Sequence, residues 1–210
     1  MLAIHRSTID LRYVQQVRKT VLLVAIVAAI SLMIFGDSRW PGGTNMHEAI
    51  EWVGLVLIVL CILGRTWTSI YIGGHKVRAL ITRGPYSVTR NPLYFFSVLG
   101  AAGAGAQLGS IVLAVVAGSI AWLVFHLVVM KEERVLVTHF GNKYRHYLAA
   151  VPRFLPSPSL WRDAEKLQVH PGIVRRTFVD ACVFLFAIPV AEGFEYLHDA
   201  GVLAVFFHLP

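Results

Sequence analysis

Two short groups of polar residues flank a long uncharged run, and their side chains suit the binding of a charged small molecule. The first is Thr89-Arg90-Asn91-Pro92-Leu93-Tyr94, with Tyr86 just ahead of it. Asn is a favoured N-cap and Pro at the first helical position loses no needed N–H, so a helix is expected to start here. Such a start offers free N–H groups and a partial positive charge, to which Arg90 adds a full one. That combination suits a carboxylate or a phosphate. The second group is Lys131-Glu132-Glu133-Arg134. Acids at the edge of an apolar run are costly against lipid, so at least one of Glu132 and Glu133 is expected to face inward. There it can accept hydrogen bonds from hydroxyls or an ammonium group. The competing readings are a capped helix with a snorkelling arginine and a local ion-pair cluster with Lys131 and Arg134.

Other candidates are less specific. Arg65 lies within an apolar run, near one end of it, where it either serves a site or snorkels. Leu136, Phe140, Tyr144 and Tyr147 recur at helical spacing, which predicts one amphipathic helix at the interface. Gly103-Ala104-Gly105 lacks the strand before and helix after of a dinucleotide loop and reads as helix packing. The nine histidines show no metal-ligand spacing. His126 and Asp180 are read as inter-helix polar contacts. Cys61 and Cys182 sit in apolar runs, with neither a disulfide framework nor a thiolate zinc motif.

The elements that must position these groups are membrane helices. Of 210 residues 56% are hydrophobic and only 15% charged, and the mean hydropathy is +0.63. A chain this short cannot hide so much apolar surface from water, and disorder requires the opposite composition. Thr20 to Gly36 is uncharged, with Arg18 and Lys19 before it, and reads as an uncleaved anchor span rather than a secretory signal. A second run covers about Ala49 to Ile72. From Asn91 to Met130 there are 40 residues without Asp, Glu, Lys or Arg, about 60 Å of helix, or two crossings. A glycine- and alanine-rich middle predicts a tight hairpin of spans near 92–107 and 109–130. Thr177 to Pro210 reads as two short spans, or one span and an interfacial helix. The fold class is therefore all-α, a polytopic bundle of about five or six spans with an amphipathic helix beside it.

Charge gives the orientation. Residues 1–19 hold four Lys and Arg, 73–91 hold four and 131–176 hold nine, which is 17 of the 19 in the chain. The spans place all three segments on one side, and the positive-inside rule makes that side cytoplasmic. The net charge of +7 is then explained by topology and anionic lipid, without nucleic acid. An inner membrane with a cytoplasmic N-terminus and active site is expected. The chain divides into an anchor and leader (1–47), a core (48–156), a cytoplasmic linker (157–176) and C-terminal membrane helices (177–210).

Gly84-Pro-Tyr-Ser-Val-Thr-Arg-Asn-Pro-Leu-Tyr94, the uncharged hairpin, Glu132-Glu-Arg-Val-Leu-Val-Thr-His-Phe-Gly-Asn-Lys-Tyr-Arg-His-Tyr147 and Val151-Pro-Arg-Phe-Leu-Pro156 together resemble the isoprenylcysteine carboxyl methyltransferase family. The broader group includes the phospholipid methyltransferases. The resemblance covers about residues 60–156. It implies S-adenosylmethionine as methyl donor, held by Leu80, Ile81, Tyr86, Asn91, Pro92, Leu93, Tyr94 and Glu132, with Arg90 and Glu132 closest to the chemistry. It also implies a lipophilic acceptor, isoprenylcysteine carboxylate-like at family level, or else a phospholipid or small amphiphile methylated on nitrogen or sulfur. Two departures bear on the acceptor. Asn91 stands where the family has His. Val128 stands where the eukaryotic carboxyl methyltransferases place a substrate-contacting Arg, which weakens the case for a prenylcysteine carboxylate. Direct in-line transfer needs no strong base for a carboxylate or thiolate; an amine would need one, for which His139 and Glu133 are the nearest options. The rival readings are a sterol-reductase-like enzyme using NADPH, and a non-enzymatic membrane component.

Overall fold

The structure is a computed structural model and describes residues 36–38, 40, 42–72, 80–203 and 207–209. The anchor span expected at 20–36 lies outside these residues apart from Gly36. The described chain is helical throughout its core. Its helices are α1 (Asn45–Ile72), a single turn α2 (Pro85–Val88), α3 (Pro92–Ala106), α4 (Ile111–Phe140), α5 (Asn142–Ala150), α6 (Pro171–Cys182) and α7 (Ala187–Asp199), with 3-10 turns at Pro158–Leu160 and Val183–Phe186. One addition to the all-α expectation is a short parallel pair. In it β1 (Gly36–Ser38) lies beside β2 (Phe207–Leu209), Gly36 opposite Phe207 and Ser38 opposite Leu209.

Three helical stretches are long and apolar enough to cross a membrane: Asn45–Ile72, Ile111–Phe140 and Pro171–Asp199; Pro92–Ala106 is a shorter apolar helix. Their outer faces carry exposed Val53, Val56, Leu63, Val115, Leu123, Leu127, Phe178 and Phe186. Apolar side chains in that number, on helices of spanning length, suit lipid and not water. In the C-terminal region, read as two short spans or as one span and an interfacial helix, the chain forms one continuous helical path from Pro171 to Asp199, long enough for a single crossing. Cys182, Phe186 and the 3-10 turn between them keep right-handed helical dihedrals, so nothing there reverses the chain. The polar linker is also shorter than expected, because Pro171 takes the first helical position and starts α6 six residues early.

α3 is the centre of the bundle, packed between α1 and α4. Small residues make that possible. A Cβ on Gly103 would stand 2.6 Å from the Gly54 carbonyl oxygen, and one on Gly54 would strike Gln107 and Ala106. Gly64 lies under the ring of Phe96, and Gly100 faces the Cys61 sulfur. Gly103 and Gly105 therefore serve helix packing, as read. Beside this contact, Ile58 and Ile62 of α1 bury Ala181 of α6. The hairpin turn closes at residues 107–110, where Ser110 caps α4 by accepting from the Leu113 N–H at 3.3 Å.

Candidate functional site

The start of α3 and the last turns of α4 meet at one end of the bundle, and the polar groups that flank the uncharged run meet with them. Tyr94, in the first turn of α3, donates its hydroxyl to Glu132 Oε1 at 2.9 Å. Its ring stacks on Phe125 of α4 with centroids 4.8 Å apart. Tyr86 in α2 lies against this pair: burial first, then the neighbouring Tyr147, Tyr94 and Glu132, hold its phenol well above the ordinary range. Tyr86, Tyr94 and Glu132 thus form one cluster, assembled from three helices.

Glu133 points elsewhere, since successive residues on a helix project about 100° apart. It is 9% exposed and takes two arginines. Arg90 Nη1 stands 3.0 Å from Oε1, and Arg153 closes a fork with Nη2 at 2.8 Å from Oε2 and Nε at 3.3 Å from Oε1. Arg90 is 11% exposed. Its Nε is a buried donor with no hydrogen-bond partner. The acid pair is therefore not simply a cluster with its sequence neighbours. Glu133 joins α4 to two loops, and Glu132 joins α4 to α3.

The segment 151–157 forms the floor. Arg90 N–H donates to the Pro152 carbonyl at 2.9 Å, and Thr89 Oγ1 donates to the Phe154 carbonyl at 3.0 Å. Asn91 departs from expectation: its side chain does not cap α3. Instead Nδ2 donates to the Arg153 carbonyl at 3.0 Å, while the Asn91 carbonyl accepts from the Tyr94 and Phe95 N–H groups. Pro92 is buried at the first helical position, and Leu93 is half-buried beside it. Leu80 and Ile81 occupy half-buried irregular backbone leading toward α2.

The amphipathic stripe is a second correction. Gly141 has φ +57° and ψ −129°, a backbone open essentially to glycine alone, and it ends α4 and starts α5 on a new axis. Leu136 and Phe140 therefore extend the long helix, while Tyr144 and Tyr147 belong to a separate helix and are buried. Tyr147 donates to the Tyr86 carbonyl at 2.6 Å, so α5 is pinned over the site by a hydrogen bond as well as by packing. Burial raises the phenols of both, that of Tyr144 to about 12.

Three further residues land as follows. Arg65 donates from Nη1 to Ser97 of α3 at 2.9 Å, so it binds inward. His126 stacks on Phe154 and its Nδ1 is buried without a hydrogen-bond partner, contrary to the satisfied contact expected. Asp180 is exposed and 4.0 Å from Arg176 on its own helix, so the expected inter-helix role is corrected. Arg153 and Ser97 were missed by sequence reasoning. Arg153 lies in the Val151-Pro-Arg-Phe motif, which was the available signal; Ser97 left none.

The fold and site define a helical membrane protein that joins tyrosines, a buried carboxylate and a guanidinium at one end of a small-residue hairpin. The phospholipid methyltransferase family model matches residues 50–143. The chain is 34% identical over 180 residues to the cobalt-zinc-cadmium resistance protein CzcN of Cupriavidus metallidurans, covering 86% of this chain and 82% of that one. It is 32% identical to the nickel-cobalt-cadmium resistance protein NccN of Alcaligenes xylosoxydans xylosoxydans, over 89% of this chain and 87% of that one. It is 26% identical to protein-S-isoprenylcysteine O-methyltransferase B of Arabidopsis thaliana, over 64% and 71%. No solved structure matches the chain at a significant level. The chain belongs to the phospholipid methyltransferase family of integral membrane proteins, with isoprenylcysteine O-methyltransferases among its distant relatives.

Proposed function

We propose that the protein transfers a methyl group from S-adenosylmethionine to a lipophilic acceptor at the cytoplasmic face of an inner membrane. The observation that carries this reading is the Tyr94–Glu132 pair, 2.9 Å apart, set beside Arg90 with its buried, unpartnered Nε. These residues fit the donor. Glu132 accepts from a ribose hydroxyl or an ammonium group, Arg90 and the α3 start attract a carboxylate, and Tyr86 and Tyr94 offer ring faces to a sulfonium. When bound, the donor supplies the electrophilic methyl, which is the difficult part of the chemistry. The chain's residues bind, orient and exclude water, worth roughly 7–11 kcal/mol of barrier in well-oriented systems. Glu133 keeps Arg90 in place from behind, and α5, pinned through Tyr147, covers the site.

Two relatives bear metal-resistance names, which supports placing the methylation in a response to divalent heavy metals at the cell envelope. The acceptor is an amphiphile of that membrane, and the absence of an arginine at Val128 favours one other than a prenylcysteine carboxylate.

Calorimetric titration of the detergent-purified protein with S-adenosylmethionine and its demethylated product tests the donor assignment. Micromolar binding is expected, weakened about tenfold by Glu132→Gln, or about 1.4 kcal/mol. Folded wild-type protein with lipid present that binds neither compound overturns the reading, and binding of NADPH in their place supports the reductase alternative.

A further inference from the structure

At the end of the bundle away from Tyr94 and Glu132, four separate segments converge on one imidazole. His47, in the first turn of α1, is 3% exposed. Its Nδ1 lies 3.0 Å from the Trp40 carbonyl oxygen. A carbonyl only accepts, so Nδ1 carries a proton and Nε2 is the nitrogen free to do something else. Glu51 Oε1, one turn along α1, is 3.3 Å from Nε2, and Glu195 Oε1 of α7 is 2.8 Å from it. Nε2 therefore faces two carboxylate oxygens from different helices at ion-pair distance.

We propose that His47, Glu51 and Glu195 form a binding site for a divalent transition-metal ion, distinct from the methyl-transfer site. The three ligand atoms lie within 4.8 Å of one another. Two ligands of one tetrahedral zinc, each at about 2.1 Å, stand roughly 3.4 Å apart, so small shifts of the two carboxylates seat an ion. One imidazole nitrogen and two carboxylate oxygens suit zinc, cobalt or nickel and leave a position open. The backbone carbonyl on Nδ1 is the usual outer partner of a metal-bound histidine, fixing its tautomer and orientation. With a neutral imidazole the two carboxylates carry a charge of −2 that a divalent ion balances.

The surroundings hold the ligands still. The ring of His47 rests on Gly109, where any Cβ would overlap it. Ser38 Oγ fastens that turn by donating to the Gly109 carbonyl at 2.9 Å. Gln107 Nε2 donates to the Glu51 carbonyl at 2.9 Å, holding the backbone of a second ligand. The competing arrangement is an imidazolium clasping two carboxylates with no metal.

The test is calorimetric titration of the chelator-treated, detergent-purified full chain with zinc chloride, alongside visible absorption on adding cobalt(II). The expected result is one zinc bound per chain, a tenfold or greater loss of affinity in Glu195→Gln and His47→Ala, and visible cobalt bands in the wild type only. Should His47→Ala fail to fold, Glu195→Gln and Glu51→Gln, which keep side-chain shape, decide the matter. S-adenosylmethionine binding in Glu195→Gln reports on folding independently of the metal. A folded wild type that binds no zinc, or variants that bind it as the wild type does, overturns the proposal in favour of the metal-free clasp.

Discussion

Glu133 holds two arginines in a setting from which water is nearly excluded, and the energetics of that arrangement are asymmetric. Removing the carboxylate leaves buried positive charge uncompensated, which costs about 3–5 kcal/mol. Removing Arg153, which is 35% exposed, leaves Arg90 to balance the acid and costs about 1 kcal/mol. Thermal melting in detergent is expected to rank Glu133→Gln as much the more damaging, and equal shifts would contradict the pairing. The buried phenols make a second prediction. In an unfolded chain tyrosine ionises near pH 10, whereas burial raises Tyr144 to about 12 in the folded protein. The folded pKa is the higher, so the stabilisation is complete below pH ~10 and is lost as pH rises toward about 12. The alkaline fall in melting temperature is therefore expected to be shallower in Tyr144→Phe than in the wild type.

At the level of elements, Gly141 and Gly103 are positions where a single methyl group has different consequences. Gly141 has a positive φ with an extended ψ and open space around its Cα, so Gly141→Ala costs backbone strain alone, about 1–3 kcal/mol. Gly103→Ala meets the Gly54 carbonyl at 2.6 Å and must push α1 from α3. It is expected to lower the melting temperature further and to weaken S-adenosylmethionine binding, because α3 carries Tyr94. The α3–α4 hairpin was legible in the sequence because 40 uncharged residues exceed one crossing and Asn-Pro marks a start. The stripe from Leu136 to Tyr147 misled because its spacing is helical throughout, and only the dihedral at Gly141 divides it. Arg153 was hidden because ion pairs between distant segments leave no periodic trace. His47 and Glu51 stand one helical turn apart, but two residues at that spacing do not make a metal motif, and Glu195 joins them only through the fold.

On the scale of the whole molecule, the two described ends of the bundle carry different chemistry, a tyrosine–carboxylate cluster at one and an imidazole–carboxylate cluster at the other. α3 connects them, and with 15 residues it is about 22 Å long. Trp52 and Trp67, both exposed on α1, are the same distance apart and suit the two interfaces of a layer that thick. The hydrocarbon layer of an ordinary bilayer is about 30 Å, so α3, unlike the three longer spans, is mismatched to it. In vesicles, its melting temperature is expected to be higher with acyl chains of about 14 carbons than with about 22; the reverse order would mean that α3 does not set the thickness. The mismatch has a consequence for how an acceptor arrives. Where the layer does not thin, the Asn91 end of α3 is sunk several ångströms beneath the headgroups. On the proposed function, a molecule diffusing sideways in its own leaflet then reaches the site without being lifted out, so its search for the site takes place in two dimensions.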